Sequence, residues 1–205
     1  AISYSKNPRD GCLESFERSV YEQPIWREVT DKDAFQLPTI WRDWLLDQGS
    51  LTARLENLCS GELAVNVLSQ DWQLPFNSED QMLALRPQET ALVREVLLVC
   101  SGLPWVYARS VIPRQALEHA MHARYCLDDT PLGAWLFSEP SMTRGVIEIA
   151  RVTGDYLGAF KQSKDSRRMW GRRSVFCVQN QPLLVTEIFL PSFSASDCQK
   201  TDRTL

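Results

Sequence analysis

No apolar run in this 205-residue chain approaches the ~20 residues a membrane-spanning helix needs, so no membrane span is expected. No Walker loop, GxGxxG, GxSxG or HExxH occurs, which leaves phosphate-loop, Rossmann and α/β-hydrolase chemistry without support. There is no surplus of basic charge. The 22 Lys+Arg stand against 26 Asp+Glu for a net charge of -4, which argues against a nucleic-acid partner held by bulk charge. No CxxC links the six cysteines at 12, 59, 100, 126, 177 and 198. Without a disulfide-framework spacing they are expected as free thiols in a reducing compartment, the cytoplasm. Ala1-Ile2-Ser3-Tyr4-Ser5-Lys6 carries no signal-peptide pattern, and no repeat at a period of 20–50 residues is visible.

What remains is an ordinary globular composition, 44% hydrophobic and 23% charged. The length suits one domain with an appendage, able to bury roughly 70% of its unfolded surface without staples. Residues 1–36, polar and broken by Pro8, Gly11 and Pro24, read as an irregular N-terminal extension; 37–192 read as the domain and 193–205 as a tail. Ile40, Trp41, Trp44 and Leu45 recur at helical spacing, and Ser50 is placed to cap a second helix through Leu51, Leu55 and Leu58. Alternation over 63–68 predicts a strand, followed by a loop at 74–78. Residues 91–100 and 105–112 predict a hairpin across Ser101-Gly102, and Pro113 opens a helix with Leu117, Met121 and Tyr125. A short helix follows Thr130-Pro131. Strands are expected at 145–151, 173–179 and 183–190, the last two joined by a turn at Asn180-Gln181-Pro182. The class is α+β with an antiparallel sheet.

Two strands carry a charge on an apolar face. Alternation puts Arg94 with Leu92, Val96 and Leu98, and Glu187 with Leu183, Val185 and Phe189. Either each finds a cross-strand partner or solvent, or the two face an apolar pocket with a cation on one wall and a carboxylate on the other. Such a pocket would suit a small anion bearing a hydroxyl. Arg109 and Arg151 read as solvated strand residues, and Lys161–Arg173 as a solvated basic loop with a single stacking residue, Trp170. His119, His122 and Cys126 fall at i, i+3 and i+7, but no fourth ligand at zinc spacing accompanies them, so an ordinary helix surface is expected and no metal.

An ordered set of motifs resembles the chorismate–pyruvate lyase family. Its blocks are Gly49-Ser50-Leu51-Thr52, Val93-Arg94-Glu95-Val96-Leu97-Leu98, Leu103-Pro104-Trp105 through Ala108-Arg109-Ser110, and Thr130-Pro131-Leu132-Gly133. They continue with Ile147-Glu148-Ile149-Ala150-Arg151, Trp170-Gly171-Arg172-Arg173-Ser174 and Leu183 through Pro191, spanning about residues 38–191. Leu51 stands where members commonly have Met, a volume-conserving change. Residues 152–169 look longer than the usual link.

The resemblance implies a six-stranded antiparallel sheet, clustered helices and a largely enclosed site. It also implies elimination of pyruvate from chorismate to give 4-hydroxybenzoate for ubiquinone synthesis, by a cytoplasmic monomer needing no metal or organic cofactor. By motif, Arg94 matches the arginine that holds the aromatic carboxylate and Glu187 the acid near the ring hydroxyl, the two expected catalytic residues. Backbone contacts to the substrate map to Leu51 and Leu132. The competing class is a non-catalytic module binding small aromatic acids, related to the effector-binding domains of GntR-type regulators. Those normally follow a winged helix-turn-helix, for which residues 1–36 are too short.

Overall fold

The computed structural model describes residues 23–30, 34, 36–119, 132–157 and 168–194. In chain order the elements are β1 (Arg27–Glu28), α1 (Thr39–Leu45), α2 (Leu51–Leu58), β2 (Leu63–Gln73), α3 (Asn77–Leu83), β3 (Ala91–Cys100) and β4 (Leu103–Pro113). They continue with α4 (Arg114–His119), α5 (Leu132–Ser138), β5 (Thr143–Arg144), β6 (Glu148–Val152), a 3-10 turn at Gly154–Tyr156, β7 (Met169–Val178) and β8 (Gln181–Phe189). The α+β class holds. All the strands join one antiparallel sheet in the order β1-β6-β7-β8-β4-β3-β2, with β5 beside β7.

Among the described residues the sheet has eight strands, not the expected six. The additions, β1 and β5, are two residues each, too short to leave a periodic signal. β1 forms inside the stretch read as irregular, pairing Arg27 with Ile149.

Local chemistry explains most of the agreement. The Ser50 side chain accepts the Ala53 N–H and starts α2 as expected. The β3–β4 hairpin turns on Ser101 and Gly102 at φ 49 and 79, and the β7–β8 hairpin on Gln179 and Asn180 at φ 49 and 63. Positive φ at both central residues gives the turn whose twist suits antiparallel strands. The second turn therefore sits ahead of the expected Asn180-Gln181-Pro182, and Pro182 lies at the start of β8, where proline is tolerated.

α3 replaces the end of the predicted loop. Its start is fixed by Glu79, whose carboxylate accepts the Phe76 N–H at 2.9 Å, a cap that apolar spacing does not reveal. β2 runs on to Gln73, past a register shift between Val67 and Ser69 that breaks the alternation.

Two further corrections concern side chains. Cys59 and Cys100 are bonded, with Cα atoms 5.8 Å apart, so the expectation of six free thiols fails; Cys177 is free. The pairing arises because the Cys59-to-Leu63 link folds back and sets Leu63 opposite Cys100 in the β2–β3 register. Arg109, expected in solvent, is 1% exposed. Arg172 and Arg173 belong to buried β7 rather than to a basic loop. His122, Cys126 and residues 161–167 lie outside the described residues.

Both faces of the sheet are covered. On one, α1, α2, α4 and α5 pack in two apolar clusters. On the other, α3 and the 156–157 turn pack in two more.

Candidate functional site

Strand register shows where the two charged strand residues lie. On the face covered by α1, α2 and α5, Leu92 and Ile112 form a row with the apolar cluster that contains Leu132, Leu136 and Phe176. Six residues along β3, Leu98 and its partner Val106 lie in the cluster of Leu51, Leu55, Trp44 and Phe189. Between these clusters run two polar rows. The first is Arg94, Ser110, Val185 and Ser174, partners in turn across β3, β4, β8 and β7. The second is Val96, Ala108, Glu187 and Arg172.

Arg94 and Glu187 thus share one face, two strands apart, with about 10 Å between their strands. The positions between and beside them are small: Ser110, Ala108 and Val185. Arg94 is 3% exposed, and the Glu187 side chain 16%. Burial excludes the solvent reading for Arg94, and Glu187 finds a cross-strand partner in Arg172. Leu51 and Leu132 open α2 and α5, where first-turn N–H groups have no intrahelical acceptor. These two helix starts abut over the band: a Cβ on Gly133 would lie 3.0 Å from Thr52 Oγ1.

The sequence pattern missed two arginines. Arg172 Nε donates to Glu187 Oε2 at 2.6 Å, while its Nη1 donates to the carbonyls of Trp44 and Asp47 at 2.8 and 2.9 Å. Arg144 Nε donates to Ser174 Oγ at 3.1 Å and its Nη1 to the same Asp47 carbonyl at 3.1 Å. The carboxylate of Asp47 is taken by Arg54 at 3.1 Å. Arg172 stands in the Trp-Gly-Arg-Arg block, but the basic run from Lys161 hides it among loop charges. Arg144, in a two-residue strand, left no signal.

The opposite face carries a matching charged row: Glu95, Arg109, Thr186, Arg173 and Glu148, in register across five strands. Arg109 meets Glu79 through Nε at 2.8 Å and Nη2 at 3.0 Å, and Glu95 through Nη1 at 2.7 Å. Burial opposes its charge, and Glu79 more than offsets this, leaving the guanidinium above its ordinary value. Burial and the Glu95 charge push the Tyr107 hydroxyl up.

Comparison with known proteins decides the family. The chorismate lyase family profile matches residues 20–197. The chain belongs to the chorismate lyase family. It is 40% identical over 163 residues to the "Probable chorismate pyruvate-lyase" of Aromatoleum aromaticum, covering 77% of this chain and 88% of that protein. The equivalent protein of Pseudomonas aeruginosa strain UCBPP-PA14 is 41% identical over 155 residues, covering 76% and 85%. Among solved structures, PhnF from Mycobacterium smegmatis shares the fold at TM-score 0.50 and 16% identity, covering 73% of this chain and 68% of that one. A GntR-family transcriptional regulator from Enterococcus faecalis V583 aligns at TM-score 0.45 and 16% identity, over 65% and 93%. For a chorismate lyase family member, the band between the two helix starts is the feature to be explained. No helix among the described residues is long and apolar enough to cross a membrane.

Proposed function

We propose that the band between Arg94 and Glu187 eliminates pyruvate from chorismate and leaves 4-hydroxybenzoate, the ring precursor of ubiquinone. One observation carries the reading: a guanidinium and a carboxylate share one sheet face across small residues, closed in by two apolar clusters. Arg94 offers a planar fork to the ring carboxylate. The opening amides at Leu51 and Leu132 supply further donors. Glu187 is held through Oε2 by Arg172, so Oε1 serves as the acceptor for the ring hydroxyl.

The reaction needs no oxidant. The C3–O bond to the enolpyruvyl group breaks and takes its electron pair to the side chain. The ring carbon bearing the hydroxyl gives up its hydrogen as a proton, the ring becomes aromatic, and the enolpyruvate takes a proton to become pyruvate. Glu187 Oε1, adjacent to that carbon when it holds the hydroxyl, is the protein's candidate to accept the proton. The protein works as a monomer in the cytoplasm without metal or cofactor. An oxidised Cys59–Cys100 pair is uncommon in a reducing compartment, so that location rests on the family and not on the thiols.

Purified protein incubated with chorismate should release 4-hydroxybenzoate, read by ultraviolet absorbance, and equimolar pyruvate, read with lactate dehydrogenase. EDTA should leave the rate unchanged. A protein that binds 4-hydroxybenzoate but never turns over chorismate overturns the enzymatic reading, and a rate lost to EDTA and restored by zinc overturns the metal-free one.

A further inference from the structure

We infer that the cleft at the β1 edge of the sheet is a second ligand site, taking a phosphate monoester that carries an apolar group. The cleft has a volume of about 550 Å³, within the range of small-molecule sites. Register gives it one charged face. Arg27 of β1 pairs with Ile149 of β6, and Arg151, two residues on, pairs with Trp170 of β7. Arg168, just ahead of β7 and two residues before Trp170, follows on the same face. All five line the cleft. Arg172 is the partner of Ile149, so the cleft begins one strand beyond Arg172 and stands apart from the band between the helix starts. Its floor is apolar: Ile149 and Trp170, with Val29 and Leu37 from the chain ahead of α1, belong to one core cluster.

The three guanidinium groups meet no carboxylate. Among the described residues none of Arg27, Arg151 and Arg168 forms an ion pair. Glu28, the one acidic residue among the described residues that line the cleft, pairs with Glu148 in the row facing the other side of the sheet. Arg151 lies instead 4.4 Å over the Trp170 ring. Burial first, and the neighbouring charge of Arg168 second, hold its guanidinium below the ordinary value. In a chain of net charge -4, cations gathered in this way repel one another, and an anion among them relieves the repulsion.

Charge and shape select the kind of anion. One guanidinium fork satisfies a carboxylate, whereas a phosphate group offers three terminal oxygens to several forks. Three arginines less Glu28 leave a surplus of two positive charges, which matches a phosphate monoester at about -1.5 to -2. The apolar floor suits a ring or hydrocarbon on the other end of the ester.

Phenyl phosphate is the probe, with benzoate and inorganic phosphate as its two halves. Each is titrated by calorimetry into the full chain at low salt, with 4-hydroxybenzoate present to fill the band. Phenyl phosphate should bind about tenfold more tightly than either half and weaken as salt is raised. Arg151→Gln combined with Arg168→Gln should weaken it about tenfold, while the KM for chorismate stays within about twofold. A parent that does not bind phenyl phosphate, either half binding as tightly as the whole, or a double variant that binds like the parent overturns the site. Both side chains are exposed, so the double variant should fold; if it does not, Arg168→Glu alone must show the loss. Sedimentation with phosphatidylcholine vesicles, with and without phosphatidate, separates the two sources of such an ester. Capture that needs phosphatidate and both arginines assigns the phosphate to a lipid headgroup, and phenyl phosphate binding without capture assigns it to a free ester.

Discussion

Arg172 holds one oxygen of Glu187 at 2.6 Å and leaves the other for the proposed ligand contact, and this divides the expected effects of two substitutions. Arg94→Ala removes the fork proposed to meet the ring carboxylate but keeps the apolar clusters and Glu187. Losing a buried charged partner typically costs about 2–5 kcal/mol, so 4-hydroxybenzoate affinity should drop by tens to thousands of fold in calorimetry. Glu187→Gln keeps the shape and an acceptor oxygen but abolishes the ion pair with Arg172. Turnover of chorismate should then fall much further than product binding; equal loss in both would make Glu187 an anchor only. Arg144 adds a pH dependence. Its folded value of about 10 lies below the ordinary guanidinium, so the fold disfavours its charge. That cost to stability is fully present below about pH 10 and is relieved as pH climbs toward the unfolded value. In urea unfolding, the stability of the parent relative to Arg144→Gln should therefore improve as pH rises past about 10.

At the scale of elements, β7 couples the site to the sheet edge through a residue with no side chain. A Cβ on Gly171 would stand 2.6 Å from Ile188 Cδ1, 3.1 Å from Val152 Cγ2 and 3.2 Å from Trp26 Cη2. Ile188 is fully buried, so it has no open space into which to swing. Gly171→Ala should therefore overpack this contact and cost about 1–3 kcal/mol in urea unfolding, and it should raise KM by shifting the adjacent Arg172. An unchanged unfolding midpoint would show that the strands separate easily here. The elements that alternation and capping could specify, α1, α2, β3, β4 and β8, are those whose buried face repeats over several residues. β1, β5 and α3 were not legible, because pairing or a single carboxylate cap defines them and neither leaves a period. Arg94 and Glu187 stood out because each interrupts an apolar strand face. Arg144 and Arg172 did not, since their meaning depends on which strand lies next to which.

For the whole molecule, the sheet is a plate with a polar band on each face, at neighbouring levels of the same strands. Arg94, Glu187 and Arg172 face the helices, and their chain neighbours Glu95, Thr186 and Arg173 face the other way. The side with the helix starts keeps the small residues Ser110, Ala108 and Val185 between its charged side chains. The far side is filled: Arg109 is clamped by Glu79 and Glu95 at 2.7–3.0 Å and lies 4.4 Å from the Phe76 ring. That difference predicts separable roles. Arg109→Met keeps much of the apolar stem but leaves two buried carboxylates without their guanidinium, and breaking a buried ion pair in this way costs about 3–5 kcal/mol. Because Glu79 also caps α3, the start of that helix should loosen with it. The ladder bonds that set Arg94 and Glu187 in register are untouched, so the folded fraction should keep the parent KM within about twofold while the urea midpoint falls sharply. If KM instead rises tenfold or more with stability little changed, the far-side row is part of the binding machinery and not a clamp beneath it.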